Sequence, residues 1–228
     1  MGVCNGCLTR RGVMGALGSG IALGLAGMVP FDAVAEGRRV AGRLTLKRNA
    51  DGGLKRPGFS VKAGDEGGVV AAGPQIFYLD PGTDAAFAED DDGLVSRIVL
   101  KAGGILSLFG PDAGAGVEIV TPNASGAIRG TTTYFAWQQD DARTYLCCCY
   151  GAVDVANSAG GSQNLRTLYH NAIIMPEGGG VEPAPYDRPL DHFDDDIARL
   201  EAFAGRKPRW QLPDGRMHFL APDPVAIN

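Results

Sequence analysis

Short runs of β-branched and aromatic residues, separated by turn residues, fill the chain between residues 40 and 156. Residues 117–121 (VEIVT) follow the period of a strand, with Val117 and Ile119 on one face and Glu118 between them, and residues 127–138 are rich in Thr, Tyr, Phe and Trp. Turn residues, such as those at 80–82, lie between the runs. Because no long helical pattern interrupts them, the sequence predicts a mainly β domain of many short strands, arranged as a sandwich, jelly roll or solenoid.

The pattern changes after residue 160. Residues 176–189 contain four prolines and three consecutive glycines, which argues against regular structure there. One short helix is predicted next, with Asp194 as its N-cap and Gly205 just beyond its end. Its inward side is formed by residues spaced three and four apart: Ile197, Leu200, Glu201 and Ala204. The sequence therefore predicts a β domain, residues 36–160, and a C-terminal appendage, residues 161–228, consisting of an arm, a Pro/Gly-rich loop, the helix and an irregular tail.

The first 35 residues are typical of a bacterial twin-arginine signal peptide. An arginine pair at 10–11 precedes an uncharged, weakly apolar stretch at 13–29, and the Ala-Val-Ala at 33–35 provides a cleavage site. The alternative is a transmembrane anchor, but a stretch of 17 residues with five glycines is short for a span. We expect a periplasmic protein exported by the twin-arginine route, attached to the membrane only if the signal is retained as an anchor.

Composition narrows the functional classes. The 228 residues include 21 basic and 26 acidic side chains, a formal net charge of −5, and contain no block of Lys or Arg. This argues against nucleic acid as a partner. The 34 glycines suit a turn-rich β domain, because glycine adopts positive φ angles without strain. The sequence contains no nucleophile-elbow, zinc-protease or phosphate-loop motif, and we expect no enzymatic activity.

Four segments together resemble the periplasmic FecR domain, which is named for the ferric-citrate regulator family. They are residues 61–65 (VKAGD), 98–108, 120–131 (VTPNASGAIRGT) and 149–155 (CYGAVDV). The third is the most specific, because it is similar to the family's signature around Thr-Pro and Arg-Gly-Thr. The resemblance implies the family's fold and a binding or scaffolding role in the periplasm, with an envelope protein or a small ligand as partner.

The chain departs from this family in a way that concerns its partners. FecR regulators have a cytoplasmic sigma-factor-binding region and a transmembrane helix ahead of the domain. Here only nine residues precede the arginine pair at 10–11. We therefore expect no sigma factor as partner and no role in transmembrane iron signalling.

Arg129 and Thr131, within the signature segment, are the candidate ligand-binding residues. Arg129 is a long cation between two glycines, where the chain can bend, and it would suit an anion such as a citrate-like ligand. The alternative, which we favour, is that Arg129 caps carbonyl groups or pairs with a buried acidic residue.

A cysteine triplet provides a second functional hypothesis. Cys147, Cys148 and Cys149 lie in a predicted strand, so the first and third share one face and the second lies on the other. With His170 or His192, Cys147 and Cys149 offer thiolate and imidazole ligands for a metal ion or a haem iron. The cofactor's identity stays open, and the alternatives are buried, inert thiols or a thiol redox role. The leading hypothesis is an exported, non-enzymatic FecR-like domain, and the alternative is a metal- or haem-binding redox protein.

Overall fold

The computed structural model describes residues 33–35, 38–48, 58–110, 116–185 and 188–208. The predicted signal peptide lies outside these ranges except for residues 33–35, and so does most of the predicted tail. Twelve strands and one α-helix are present within them: β1 (Ala33–Ala35), β2 (Arg38–Arg48), β3 (Gly58–Ala72), β4 (Gln75–Leu79), β5 (Asp84–Glu89), β6 (Val95–Phe109), β7 (Val117–Val120), β8 (Ala124–Gln138), β9 (Arg143–Asn157), β10 (Ser162–Thr167), β11 (Asn171–Pro176), β12 (Glu182–Pro183) and α1 (Asp194–Phe203). The prediction of a mainly β fold with one short C-terminal helix is confirmed. Within the described ranges, no helix combines the length and the apolar character needed to cross a membrane.

The four longest strands, β3, β6, β8 and β9, run for 15 residues each and change partners near the middle. In β6, residues 95–102 pair with β5, whereas residues 105–109 pair with β4. A glycine with a positive φ angle lies at the change of partner in each of these strands: Gly67, Gly103, Gly130 and Gly151. Other residues rarely adopt such angles, so these glycines allow one strand to serve two parts of the sheet.

Two strands run through a glycine at which the sequence pattern predicts an end or a break, and at Gly151 the positive φ angle accounts for this. The pattern predicts that the strand at 59–63 ends at Gly64 and that another is broken at Gly151. In the structure β3 and β9 continue through both positions. A glycine that supplies a positive φ angle can end a strand or bend it, and pairing with neighbouring strands decides which.

All twelve strands belong to one sheet, which folds over to enclose a barrel-like core. Strands β3, β4, β6 and β5 pair in a ring, and β8 and β9 continue the sheet from β6. Phenylalanine rings pack in the interior, with the centroids of Phe59 and Phe87 4.8 Å apart and those of Phe77 and Phe87 5.4 Å apart. Burial of each such side chain contributes about 1.5–3 kcal/mol, so this interior is a main source of the barrel's stability.

A second apolar cluster lies on the outer face of the sheet, where α1 covers it. Ile197 and Leu200 of α1 are fully buried in it. Glu201 is buried on the same side of α1 and accepts a hydrogen bond from the Tyr150 hydroxyl. The sheet side of this outer cluster includes Leu106, Leu108, Tyr134, Tyr145 and Ile174. The predicted inward side of the helix is therefore correct, and Gly205, with a φ angle of +71°, follows its end as predicted.

Two features of the C-terminal region differ from the prediction. β10 and β11 both pair with β9, so the sheet continues past the predicted domain boundary at residue 160. Asp194 is the first residue of α1 rather than its N-cap, which is Phe193. The Phe193 N–H donates a hydrogen bond of 2.9 Å to Asp196 Oδ2. Asp194 does not cap the helix because its carboxylate binds two side chains at the edge of the sheet.

Candidate metal centre

Cys147 and Cys149 present their thiols on the outer face of β9, whereas Cys148 points into the barrel. Cys148 packs in the interior with the phenylalanines, and the other two pack in the outer cluster. All three are fully buried, and none of the three forms a disulfide. The alternation of faces predicted from the sequence is confirmed, and it places two thiols together under the C-terminal segment.

A β-bulge lies at Cys149. Thr133 of β8 pairs with Cys148, and Thr132 pairs with Tyr150, which leaves Cys149 without a partner on β8. Its carbonyl oxygen instead accepts a hydrogen bond of 2.9 Å from the N–H of His170. Bulges often redirect a side chain beside a functional site. Here the bulge brings the backbone of one candidate ligand into contact with another.

His170 lies in the short turn between β10 and β11. Its Nδ1 is 3.3 Å from the Cys147 Sγ, and its ring is almost completely buried. Its other nitrogen, Nε2, lies 2.9 Å from Oδ1 of Asp194. The second carboxylate oxygen of Asp194 accepts a hydrogen bond of 2.8 Å from the Tyr169 hydroxyl. The first residue of α1 therefore orients a histidine at the edge of the sheet.

His192 comes from the C-terminal segment, two residues before α1. Its Nε2 lies 3.4 Å from the Cys149 Sγ, and its Nδ1 lies 2.6 Å from the carbonyl oxygen of Leu190. The ring stacks on Tyr134, with centroids 4.6 Å apart. The backbone and an aromatic neighbour thus hold this second imidazole in place.

The structure brings together the four residues that the sequence indicates as metal ligands. The donor atoms of Cys147, Cys149, His170 and His192 all lie within 4.8 Å of one another. A tetrahedral zinc ion, with Zn–S near 2.3 Å and Zn–N near 2.0 Å, separates its donors by about 3.3–3.8 Å. The two thiol-to-imidazole distances of 3.3 and 3.4 Å are close to that range. The widest pair needs to close by only about 1 Å, so one ion fits without rearrangement of the sheet.

The outer hydrogen bonds orient both imidazoles for metal binding. The Asp194 carboxylate and the Leu190 carbonyl can only accept, so Nε2 of His170 and Nδ1 of His192 are the nitrogens that donate. The opposite nitrogens then face the thiols and are available as ligands. Such outer partners commonly fix the orientation of metal-binding histidines and increase their basicity.

Metal binding at this centre requires the release of protons. Burial opposes charge on Cys147, but hydrogen bonds from Cys149, His170 and His192 outweigh it and hold the pKa of Cys147 well below its usual value. Burial also acts to lower the pKa of His170, but Asp194 and Cys147 raise it overall to about 9. Burial, with the hydrogen bond to Cys147, raises the pKa of Cys149. The lowered pKa of Cys147 and the raised pKa of His170 favour a thiolate beside an imidazolium, so a bound metal ion would displace protons from His170 and Cys149.

Arg129 and Thr131 lie in β8, outside this group of four. Arg129 is exposed, and its Nε lies 3.4 Å from Oδ2 of Asp154 on β9. This is the acidic pairing favoured from the sequence, although Asp154 is partly exposed rather than buried. The signature segment also ties the fold together, since the Asn123 amide donates a hydrogen bond of 2.7 Å to the Met175 carbonyl. Arg129 thus has a surface ion pair with Asp154, and ligand binding by Arg129 and Thr131 stays a prediction.

Asp194 is the site residue that the sequence does not identify. The acidic residues at 191–196 suit the start of a helix, and that interpretation needs no ligand. The available signal is an acid two positions after His192, which is too common to be distinctive. Asp194 is recognisable only once the turn carrying His170 is placed beside the first turn of α1.

No protein-family model matches the chain, and no curated protein matches it. Two crystal structures of candidate anti-sigma factors from Parabacteroides distasonis ATCC 8503 are similar to it in fold. The first, at 2.50 Å, has a TM-score of 0.47 and 15% identity over 70% of this chain and 65% of that one. The second, at 1.65 Å, has a TM-score of 0.46 and 14% identity over 62% of this chain and 64% of that one. The chain spans slightly less than two thirds of each, and likeness at this level assigns it no function.

Proposed function

We propose that this protein binds one zinc ion through Cys147, Cys149, His170 and His192. The observation that carries the proposal is the convergence of four buried donor atoms within 4.8 Å, with both imidazoles oriented from outside. Two thiolates and two imidazoles in a tetrahedral arrangement suit zinc. Haem suits the site less, because the porphyrin occupies four positions of its iron and leaves at most two for protein ligands.

The zinc ion is structural in this proposal. Four protein ligands complete a tetrahedral shell and leave no position for water or substrate, as in structural rather than catalytic sites. Three ligands belong to the sheet and its turn, whereas His192 belongs to the segment that leads into α1. The ion therefore fastens the C-terminal helix to the outer face of the barrel. A structural ion of this kind is compatible with the expected class, a non-enzymatic binding or scaffolding domain, and the absence of enzymatic activity stays a prediction.

The proposal includes export to the periplasm as a FecR-like domain. It is supported by the arginine pair at 10–11, the Ala-Val-Ala at 33–35 and the signature-like segment at 120–131. The twin-arginine route carries folded proteins, so zinc would be inserted before export. Replacement of the arginine pair by two lysines should leave the precursor in the cytoplasm. Normal export of that variant would contradict this part of the proposal.

Metal analysis of the purified chain tests the zinc site. We expect one zinc per chain, and we expect cobalt(II) to replace it with the intense visible absorption of a tetrahedral thiolate complex. Cys147→Ala and Cys149→Ala should each reduce the zinc content to a small fraction of that of the unchanged protein. Each variant is checked for retained β structure by circular dichroism.

Cys148→Ala is the matched control. It removes a fully buried thiol from the same strand, but from the barrel interior rather than from the site. It should bind zinc like the unchanged protein. The proposal is wrong if the folded protein binds no zinc, or if Cys148→Ala loses zinc while a folded Cys147→Ala variant retains it.

A further inference from the structure

A pocket of about 570 Å³ opens beside the candidate metal centre, between the outer face of the sheet and residues 188–196. His192 belongs to both, because its ring lines the pocket while its Nε2 faces Cys149. Pockets of this volume hold small organic molecules, and a single ion needs far less space. The pocket is therefore a space distinct from the candidate metal centre, and His192 forms part of the wall between them.

Aromatic rings form much of this pocket. Tyr78, Tyr134, Trp137 and Phe193 all line it. Phe193 is 48% exposed, and within the described residues it is one of only two large apolar side chains that are so exposed. The negative faces of such rings attract cations as well as apolar groups. An exposed ring at the edge of a pocket would be shielded from water by a bound molecule.

The charge of the lining is mainly negative. Among the described residues around the pocket are the carboxylates of Asp80, Asp191 and Asp196, with Arg188 as the permanently charged cation. Within the described part of the chain, Asp80 forms no ion pair, and its Oδ2 accepts a hydrogen bond of 2.5 Å from the Tyr134 hydroxyl. Burial, with repulsion from Asp191 and Asp196, raises the pKa of Asp80 to about 6. A positive charge beside Asp80 would offset its repulsion by Asp191 and Asp196 and would compensate for the water that its carboxylate loses on burial.

Gly104 allows this arrangement. A Cβ atom at Gly104 would overlap both the Asp80 carboxylate and the Tyr134 hydroxyl. The Asp80 N–H also donates a hydrogen bond of 3.0 Å to the Gly104 carbonyl, which fixes the start of the turn that carries the carboxylate. The carboxylate and the aromatic hydroxyl are therefore held together before any ligand arrives, which reduces the entropy cost of binding.

We propose that this pocket binds a small organic cation. Its ammonium group would lie beside Asp80 and Tyr134, and its apolar part would pack against Trp137 and Phe193. Both substituted and unsubstituted ammonium groups fit this chemistry, because the attraction comes from a carboxylate and from aromatic faces. The site goes beyond the zinc centre, since none of the groups that recognise the cation is one of the four metal ligands.

Titration of the zinc-loaded full chain with three probes that share one ring tests the proposal. The probes are benzyltrimethylammonium, neutral benzyl alcohol and anionic phenylacetate, and calorimetry or NMR shifts measure their binding. We expect the cation to bind at least tenfold more tightly than the alcohol, and phenylacetate to bind most weakly. Equal binding of the three probes, or no binding of the cation at millimolar concentration, would overturn the proposal.

Asp80→Asn should weaken binding of the cation about tenfold without changing that of the alcohol. Asp195→Asn is the matched control, because Asp195 is exposed in the first turn of α1 and does not line the pocket. If both variants weaken binding equally, the attraction is general and the proposal is wrong. Zinc content is measured on the same samples. If the chain contains no zinc but binds the cation, only the zinc proposal is refuted. If the chain contains zinc but binds the three probes equally, only the organic-cation proposal is refuted.

Discussion

Asp194 and His170 are joined by a contact of 2.9 Å between a carboxylate oxygen and the imidazole Nε2, although 24 residues separate them in the chain. The contact connects the first turn of α1 to the turn between β10 and β11. It determines which nitrogen of His170 faces Cys147. Asp194 is thus a positioning residue for the proposed metal site.

Asp194→Asn is therefore expected to weaken zinc binding about 10- to 100-fold while leaving the fold intact, because outer partners of ligating histidines have effects of that size. Competition with a chelator of known affinity measures the change. Asp195→Asn removes the same charge from the neighbouring exposed position and should leave the affinity nearly unchanged. Equal affinity of the two variants would show that the contact with His170 does not matter for the metal.

Removal of zinc should loosen the C-terminal helix before it unfolds the barrel. His192 is the proposed ligand supplied by the segment before α1, and its release from the ion would remove one of the contacts that hold the helix, beside apolar packing and the contacts of Asp194 and Glu201. We expect a strong chelator to increase tryptic cleavage at Arg199, within α1, at least tenfold. Cleavage at Arg97, in strand β6, is the internal control and should stay slow. Equal protection of Arg199 with and without zinc would contradict the proposed fastening role.

Asp80 should destabilise the folded protein at neutral pH. Its pKa of about 6 is above the ordinary value of 3.8, so the folded state holds the proton more tightly than the unfolded state does. The contribution of protonated Asp80 to the free energy of unfolding is thus fully present below about pH 4, and it is lost as the pH rises through about 6. A pKa shift of this size changes the free energy of unfolding by about 3 kcal/mol for a fully buried group. Because Asp80 is partly exposed, we expect an effect of about 1–2 kcal/mol.

Asp80→Asn should therefore increase the free energy of unfolding at pH 7 by about 1–2 kcal/mol, and the gain should disappear near pH 4. Urea denaturation of the variant and the unchanged protein, compared at each pH, measures this difference. The comparison at equal pH cancels the pH dependence of metal binding. A variant that is less stable at pH 7, or a difference that does not depend on pH, would contradict the prediction.

Gly103 should be much less tolerant of alanine than Gly93, although the two have nearly equal φ angles of +77° and +76°. A Cβ atom at Gly103 would lie 2.8 Å from the Thr83 backbone, whereas a Cβ atom at Gly93 would have no neighbour within 4 Å. Both substitutions incur the cost of a left-handed conformation, about 1–2 kcal/mol. Gly103→Ala should cost about 1–3 kcal/mol more because of overpacking, as measured by thermal or urea unfolding. Equal losses would show that β6 does not need a glycine at its change of partner.

The sequence allowed the chemistry of the site to be predicted further than its geometry. The alternation of Cys147, Cys148 and Cys149 follows from the period of a strand, and few other thiol or imidazole groups occur in the sequence after residue 35. The pairing of His170 with Cys147, and of His192 with Cys149, depends on contacts between residues 23 and 43 positions apart. Local patterns do not encode such contacts. The role of Asp194 was missed for the same reason.

The fold class could be predicted because β-branched runs and turn residues are local features. The length of the strands could not, because a glycine with a positive φ angle has the same local conformation whether it ends a strand or bends one. At Gly151 the outcome depends on β10 and β11, which pair with the two halves of β9. The pairing of β10 with β9 across the predicted boundary at residue 160 is likewise non-local and could not be predicted from the sequence.

The bulge at Cys149 makes the spacing of this stretch more important than most of its individual side chains. If one residue were inserted between Cys147 and Cys149, or removed there, the side chains on one side of the change would point to the opposite face of the strand. One of the two proposed ligands would then point into the barrel, and a neighbouring side chain would point out of it. Substitutions near the triplet could accumulate in related proteins, but changes in length could not. Among related proteins, a strand of unchanged length through this stretch would therefore be a better sign of the proposed metal centre than overall sequence identity.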